Sequence, residues 1–280
     1  MPNQSIMIRI ERRNYLLSTL IAFLIISLLE LNSQTGSAEI RVMTYNIFHG
    51  EQAYNPGNSN LPQIAELINK VNPDFVALQE VDSMTNRSAG INSGVPIDQV
   101  MELSRMTGMA GFFGKAIDYS NGGYGEGILS KFPATVTKHS LPIPRGGEER
   151  ALLLINCTLP GGKEIVFAGT HLCHQFEENR LAQTEAICNI LGDIDKPIIL
   201  AGDFNFRPES EPYQLIVSNF ADAAVIKGDP EPTISFENPR SRIDYVFLSE
   251  KSKWVVKDVE VIRCSASDHM PVLVILETED

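Results

Sequence analysis

The stretch Ile198-Ile199-Leu200-Ala201-Gly202-Asp203-Phe204-Asn205 constrains this chain more than any other part of it. Aliphatic residues following Pro197 read as a buried strand. The strand runs straight into a carboxylate and then an amide. An apolar strand closing on Gly-Asp-x-Asn carries polar atoms to the rim of a sheet, where a rigid scaffold can aim them at a ligand. Asp and Asn also end strands as ordinary turn residues, so this stretch needs company before it means function.

The company is found at other strand ends. Arg41-Val42-Met43-Thr44-Tyr45-Asn46 stops at an amide, Phe75-Val76-Ala77-Leu78-Gln79-Glu80 at a carboxylate, and Ile165-Val166-Phe167-Ala168-Gly169-Thr170-His171 at an imidazole. Ser267-Asp268-His269 precedes the apolar run Met270 to Ile275, and Arg242-Ile243-Asp244-Tyr245-Val246-Phe247-Leu248 holds a carboxylate inside a strand pattern. A charge in that position is costly unless paired.

Between these strands, Leu61 to Val71 reads as an amphipathic helix with Asn60 as N-cap and Asn72-Pro73 as its stop. Asn46 and Glu80 then flank a strand-helix-strand unit, whose crossover brings both strand ends to one edge of a sheet. Asp98 caps a helix through Thr107, Phe176 to Leu191 forms another, and Tyr213 to Val217 a short one. Strands are expected over 127–130, 151–158, 163–170, 241–248, 253–263 and 271–277. Mixed elements with hairpins in the second half suggest two packed sheets covered by helices.

Asn46 in Thr-Tyr-Asn, Glu80 in Leu-Gln-Glu, His171 in Gly-Thr-His, Asp203 and Asn205 in Gly-Asp-Phe-Asn, Asp244 in Arg-Ile-Asp-Tyr and Asp268-His269 in Ser-Asp-His together resemble the endonuclease/exonuclease/phosphatase family. The motifs keep the family's order and span 40–277. The resemblance implies an α/β (α+β) fold, a four-layer α/β/β/α sandwich of two packed mixed sheets flanked by helices. It also implies a metal-dependent phosphoesterase, without naming a substrate. One departure bears on this: members acting in DNA repair carry an acidic residue two positions after the motif Asn, and here Phe48 stands there.

The chemistry of phosphoester cleavage assigns roles within that set. A phosphodiester is anionic and repels a nucleophile, so a hard cation must neutralise its oxygens. Magnesium, or manganese in its place, takes oxygen ligands. Glu80 is the leading ligand, with Asn46 and Asp268 near the same ion or its water. Asp203 would orient or deprotonate the attacking water, and Asn205 would hold that water or a phosphate oxygen. His269 would act beside the phosphorus with Asp244 fixing its tautomer, and His171 would donate to a non-bridging oxygen. Whether Asp203 or His269 is the base stays open.

Composition fits one enzyme domain. With 280 residues and 43% hydrophobic content, a large single core is within reach. A net charge of −12 argues against a dedicated basic footprint for nucleic acid. Residues 1–38 read as a signal peptide or retained anchor: Arg9, Arg12 and Arg13, then the apolar Leu16 to Leu29, then Gly36-Ser37-Ala38. The domain is placed at 39–280, exported to the periplasm, cell envelope or exterior, as a monomer with no obligate protein partner.

The substrate is a nucleic acid, a phospholipid head group or an inositol phosphate, with contact to a membrane surface left open. A phosphomonoesterase acting on soluble phosphates and a catalytically silent binder of phosphate or lipid are the alternatives. The loops 48–60, 81–96, 118–123 and 142–149 would choose among them. Cys157, Cys173, Cys188 and Cys264 could pair in an oxidising compartment, but their positions suit buried apolar residues. Arg150 and Arg87 read as solvated surface, and His139 and His174 as ordinary exposed histidines. His49, close after Asn46, is a candidate to line the site, while Phe112, Phe113, Met106 and Met109 read as core.

Overall fold

The computed structural model describes residues 39–279. The signal segment expected over 1–38 lies outside them, and among the described residues no helix is long and apolar enough to cross a membrane. The first sheet runs in the order β11 (Lys253–Val261), β12 (Val272–Glu279), β1 (Glu39–Asn46), β2 (Phe75–Ser83), β4 (Gly122–Ser130), β3 (Ala110–Tyr119). The second runs β5 (Ala134–Leu141), β6 (Arg150–Thr158), β7 (Glu164–His171), β8 (Ile198–Asp203), β10 (Asp244–Ser249), β9 (Phe220–Asp222).

Each sheet contains one parallel pair among antiparallel neighbours, β1 with β2 and β7 with β8. A helix crosses over within each pair: α1 (Leu61–Val71) in the first and α4 (Glu177–Gly192) in the second. Such crossovers return the chain to the same sheet edge, so Asn46 and Glu80 finish one pair while His171 and Asp203 finish the other. β7 and β8 are buried on both faces, which explains their uninterrupted aliphatic runs.

Side chains from both sheets meet between the layers, including Val42, Phe75, Ala77 and Ile128 against Ile155, Phe167, Ile199 and Val246. Outside the first sheet, Leu61, Ile64 and Ile68 of α1 and Leu103 of α3 (Gln99–Thr107) pack on Met43, Val76 and Leu78. Outside the second, Ile187 and Leu191 of α4 and Ile216 of α5 (Glu211–Val217) pack on Val166, Ile198 and Leu200. These are the four layers expected. Gly202 is required by closeness: a Cβ there would stand 2.2 Å from the Thr170 carbonyl of the neighbouring strand.

Several local expectations change. Asn60 does not cap α1, because its side-chain nitrogen lies 2.8–2.9 Å from the carbonyls of Ile47, Glu51 and Ala266. Pinning three chain segments beside the site outweighs capping one amide. The segment after β2 is not all loop: α2 (Asn86–Ile91) forms with Thr85 as its N-cap. The strands β3 and β5, the short β9 and the helix α6 (Ala223–Lys227) lie outside the expected elements and complete the set. Phe112, Phe113, Met106 and Met109 pack against core clusters as expected. Among the described residues all four cysteines are free, and Cys173 accepts hydrogen bonds from the Phe176 amide and the Asn179 side chain.

Candidate active site

The two parallel pairs end at one place. Asn46, buried at the end of β1, donates through Nδ2 to Glu80 Oε1 at 3.1 Å and to Asp203 Oδ2 at 3.0 Å. One amide therefore ties the first sheet to the second. Its oxygen accepts the Phe48 amide at 3.1 Å, which leaves that oxygen a second lone pair.

Glu80 reaches the pocket through an irregularity in β2. Its register with β4 shifts between Leu78 and Val81, and Glu80 takes φ +58°. Val76, Leu78 and Val81 all face the helix layer; the extra residue turns Glu80 off that face and toward the strand ends. Phe48, His49 and Asn205 also take left-handed backbone, with φ of 50°, 45° and 51°. Such conformations are costly for residues with a Cβ and persist where the surrounding structure holds them.

Asp203 ends β8 directly across from Asp244 on β10. His269 joins them: its Nδ1 is 3.0 Å from Asp244 Oδ2 and its Nε2 is 3.7 Å from Asp203 Oδ2. Thr233, unnoticed in the sequence, donates its hydroxyl to Asp244 Oδ2 at 2.5 Å. His171 Nε2 stands 3.5 Å from Asp203 on the other side. Asn205 donates its main-chain amide to Asp203 at 2.9 Å and its side chain to the Leu172 carbonyl at 3.1 Å. Asp268 lies beside His269 with its Oδ1 3.2 Å from Ser267 Oγ. Ser267 in turn donates to the Asn46 carbonyl at 2.7 Å.

The electrostatics separate these groups. Burial opposes a charge on Glu80, yet His49 and Asn46 hold its carboxyl down at about 2. Burial, then the facing Asp244, push Asp203 up to about 7. Burial works against an imidazolium at His269, but Asp244 and Asp203 outweigh it and lift the ring to about 10. Burial, then the charge of Arg150, hold His171 well below its ordinary range.

Arg150 departs from the solvated surface residue expected. It is 2% exposed and bonds Glu148 at 2.6 Å, because the first turn of β6 lies against the end of β7. Arg87 also departs: it sits in α2, bonds Asp82 through both Nε and Nη2 (2.8 and 2.7 Å) and covers the Tyr119 ring. His174 is exposed as expected but lines the pocket, together with Tyr124, Glu148 and Arg150. His49 lies 3.6 Å from Glu80 Oε2. His139 lies away from the site on β5.

Asp203, Asp244 and His269 each bring a ligand atom within 4.8 Å of the others. Both Asp244 oxygens already face the His269 ring, however, and one also takes the Thr233 hydroxyl. Glu80 and Asp268, among the described residues, make no ion pair with Lys or Arg. Two oxygen-donor carboxylates left without a protein cation suit a hard dication.

Comparisons with known proteins bear on the family and the fold. The endonuclease/exonuclease/phosphatase family model matches residues 43–269. The uncharacterized protein YbhP of Escherichia coli is 26% identical over 225 residues, covering 78% of this chain and 88% of YbhP. An endonuclease/exonuclease/phosphatase structure from Beutenbergia cavernae superposes with a TM-score of 0.72 at 25% identity, over 86% of this chain and 72% of that one. A mannosyl-6-phosphatase from Bacteroides thetaiotaomicron superposes with a TM-score of 0.67 at 19% identity, over 85% of this chain and 99% of that one. The chain belongs to the endonuclease/exonuclease/phosphatase family.

Proposed function

We propose that this protein is a divalent-metal-dependent phosphoesterase that hydrolyses a phosphodiester by attack of water. The observation carrying the proposal is the Asn46 amide, which hydrogen-bonds Glu80 and Asp203 together and so sets two carboxylates beside His269, 3.7 Å from Asp203. A magnesium or manganese ion held by Glu80 and Asp268 would supply neutralisation of the ester's non-bridging oxygens.

The protein's own groups divide the proton work. Asp203, lifted by burial to about 7, can accept a proton from water near neutral pH. His269, kept protonated by Asp244 and Asp203, offers an N–H to the phosphoryl or leaving-group oxygen. Environments that push two titratable groups in opposite senses are how acid and base are told apart. Asn205 fixes the Asp203 carboxylate through its amide, and the Asn46 amide holds the same group from the other side.

A small or lipid-borne ester suits the site better than a nucleic acid. The net charge is −12, and the guanidinium groups beside the pocket, Arg150 and Arg87, are each paired with a carboxylate. That leaves little to hold a run of phosphates. The pocket's volume of about 220 Å³ would also take a phosphate with one attached ring, which favours a soluble phosphomonoester as the second reading. The Arg-bearing, apolar segment over 1–38 supports export.

Full-length protein should hydrolyse bis-nitrophenyl phosphate with magnesium or manganese, stop with EDTA and recover on metal addition. DNA, RNA, sphingomyelin-type lipids, inositol phosphates and sugar phosphates assayed side by side would rank substrates. No turnover on any of them, alongside tight metal-dependent binding of phosphate, would instead identify a silent binding protein.

A further inference from the structure

One guanidinium organises the second wall of the pocket. Arg150 Nη1 lies 2.6 Å from Glu148 Oε1 and 3.4 Å from His171 Nδ1, and its Nη2 lies 3.1 Å from His174 Nδ1. A guanidinium has donor hydrogens only and stays protonated throughout the working pH range. Each Nδ1 that faces it must therefore present a lone pair. The proton of each ring then resides on Nε2.

We propose that Arg150 is a positioning residue that locks both His171 and His174 as Nε2–H tautomers, so that two neutral N–H donors face the bound ester. His171 directs its Nε2 toward the Asp203 side, 3.5 Å from that carboxylate. His174 lines the same pocket from its exposed rim. Glu148 anchors the guanidinium from outside and offsets its charge. Burial and the Arg150 charge both disfavour an imidazolium at His171, so the ring serves as a donor that does not exchange its proton during turnover. This separates its task from that of His269, whose ring faces carboxylates on both nitrogens.

The donor role rests on the phosphoesterase reading; the tautomer lock does not. The test uses full-length protein labelled with ¹⁵N-histidine, metal-free at neutral pH, with long-range proton–nitrogen NMR reading each ring. His174→Gln and His139→Gln assign signals by removal. Both His171 and His174 should show a protonated Nε2 and a bare Nδ1, and in Arg150→Gln the His174 signal should move to a tautomer mixture. A protonated Nδ1 on either ring in the unsubstituted protein overturns the proposal, and that measurement needs no variant to fold. Unchanged tautomers in a folded Arg150→Gln overturn it too.

Kinetics give a second reading. Arg150→Lys keeps a positive charge but cannot serve two rings and Glu148 together, so kcat should fall about tenfold to a hundredfold with little change in KM. A rise in KM at unchanged kcat would make Arg150 a simple phosphate clamp and reject the lock. Protein inactive on every phosphoester yet showing both Nε2–H rings would reject the proposed function and leave the lock standing.

Discussion

Asp203 and Asp244 face each other directly across the antiparallel pair β8 and β10, and the His269 ring contacts both, at 3.7 and 3.0 Å. Like charges opposite one another on a ladder destabilise it, and burial sharpens the effect. A protonated ring between them makes the arrangement tolerable. The same compensation leaves a carboxyl near 7 beside an imidazole near 10, which is the pair the proposed chemistry uses.

Replacing either partner separates these effects. Asp203→Asn should lower kcat on a diester on the order of a hundredfold or more while leaving the melting temperature equal or higher, since a buried like charge is removed. His269→Ala should lower kcat by a similar factor and also destabilise the fold by roughly 3 kcal/mol, because two carboxylates lose their cation. Steady-state rates and thermal melts at neutral pH read both. Wild-type rates in both variants would end this assignment of roles.

Thr233 offers a subtler test. Its hydroxyl donates to Asp244 Oδ2, the same oxygen that His269 Nδ1 approaches at 3.0 Å. Thr233→Val should reduce kcat about tenfold to a hundredfold, as loss of an outer partner of a catalytic group commonly does. Thr233→Ser should restore most of the rate. Equal activity in the two variants would show that the hydroxyl does not matter.

Glu126 gives a pH signature. It is 1% exposed on β4, its Oε2 has no hydrogen-bond partner, and burial raises its carboxyl well above the usual range. A folded-state value above the unfolded one means the native state holds its proton more tightly. The contribution is therefore favourable at low pH and is lost as pH rises from the unfolded carboxylate range near 4.5 toward the folded value. Glu126→Gln should melt like wild type near pH 4 and at higher temperature near pH 8. A gap that narrows with rising pH would contradict the assignment.

Metal dependence should follow Glu80. Glu80→Gln keeps the shape and loses the charge, so the magnesium or manganese concentration for half-maximal activity should rise about tenfold to a hundredfold. Titration calorimetry with manganese checks this without turnover. Unaltered affinity would move the ion to the Asp203, Asp244 and His269 cluster.

Much of this site could be read from the chain because its polar residues end apolar strands, and the strand signal is local. Asn46, His171 and Asp203 are of that kind. Glu80 was legible as a strand-terminal carboxylate, but its left-handed bulge was not, since nothing in Leu-Gln-Glu-Val marks the shift of register. Arg150 follows two glutamates and looks solvated; only the β6–β7 hairpin, which folds the end of β7 back beside the start of β6, buries it against His171. Arg87 misled in the same way, because its partners Asp82 and Tyr119 come from different elements. β3 escaped notice because Gly111 and Gly114 interrupt its alternation, and Asn60 because its position suits a cap as well as a buried staple.

The two parallel pairs have a temporal corollary. One pair supplies Asn46 and Glu80, the other His171 and Asp203, and His269 is the last of these groups to emerge during synthesis. Asp268 and His269 stand just before β12, the strand that pairs with β1 and completes the first sheet last. A chain lacking its C-terminal strand would thus carry Glu80, His171 and Asp203 without His269 fixed among them, and the pocket is complete only when the first and last strands of the described residues pair.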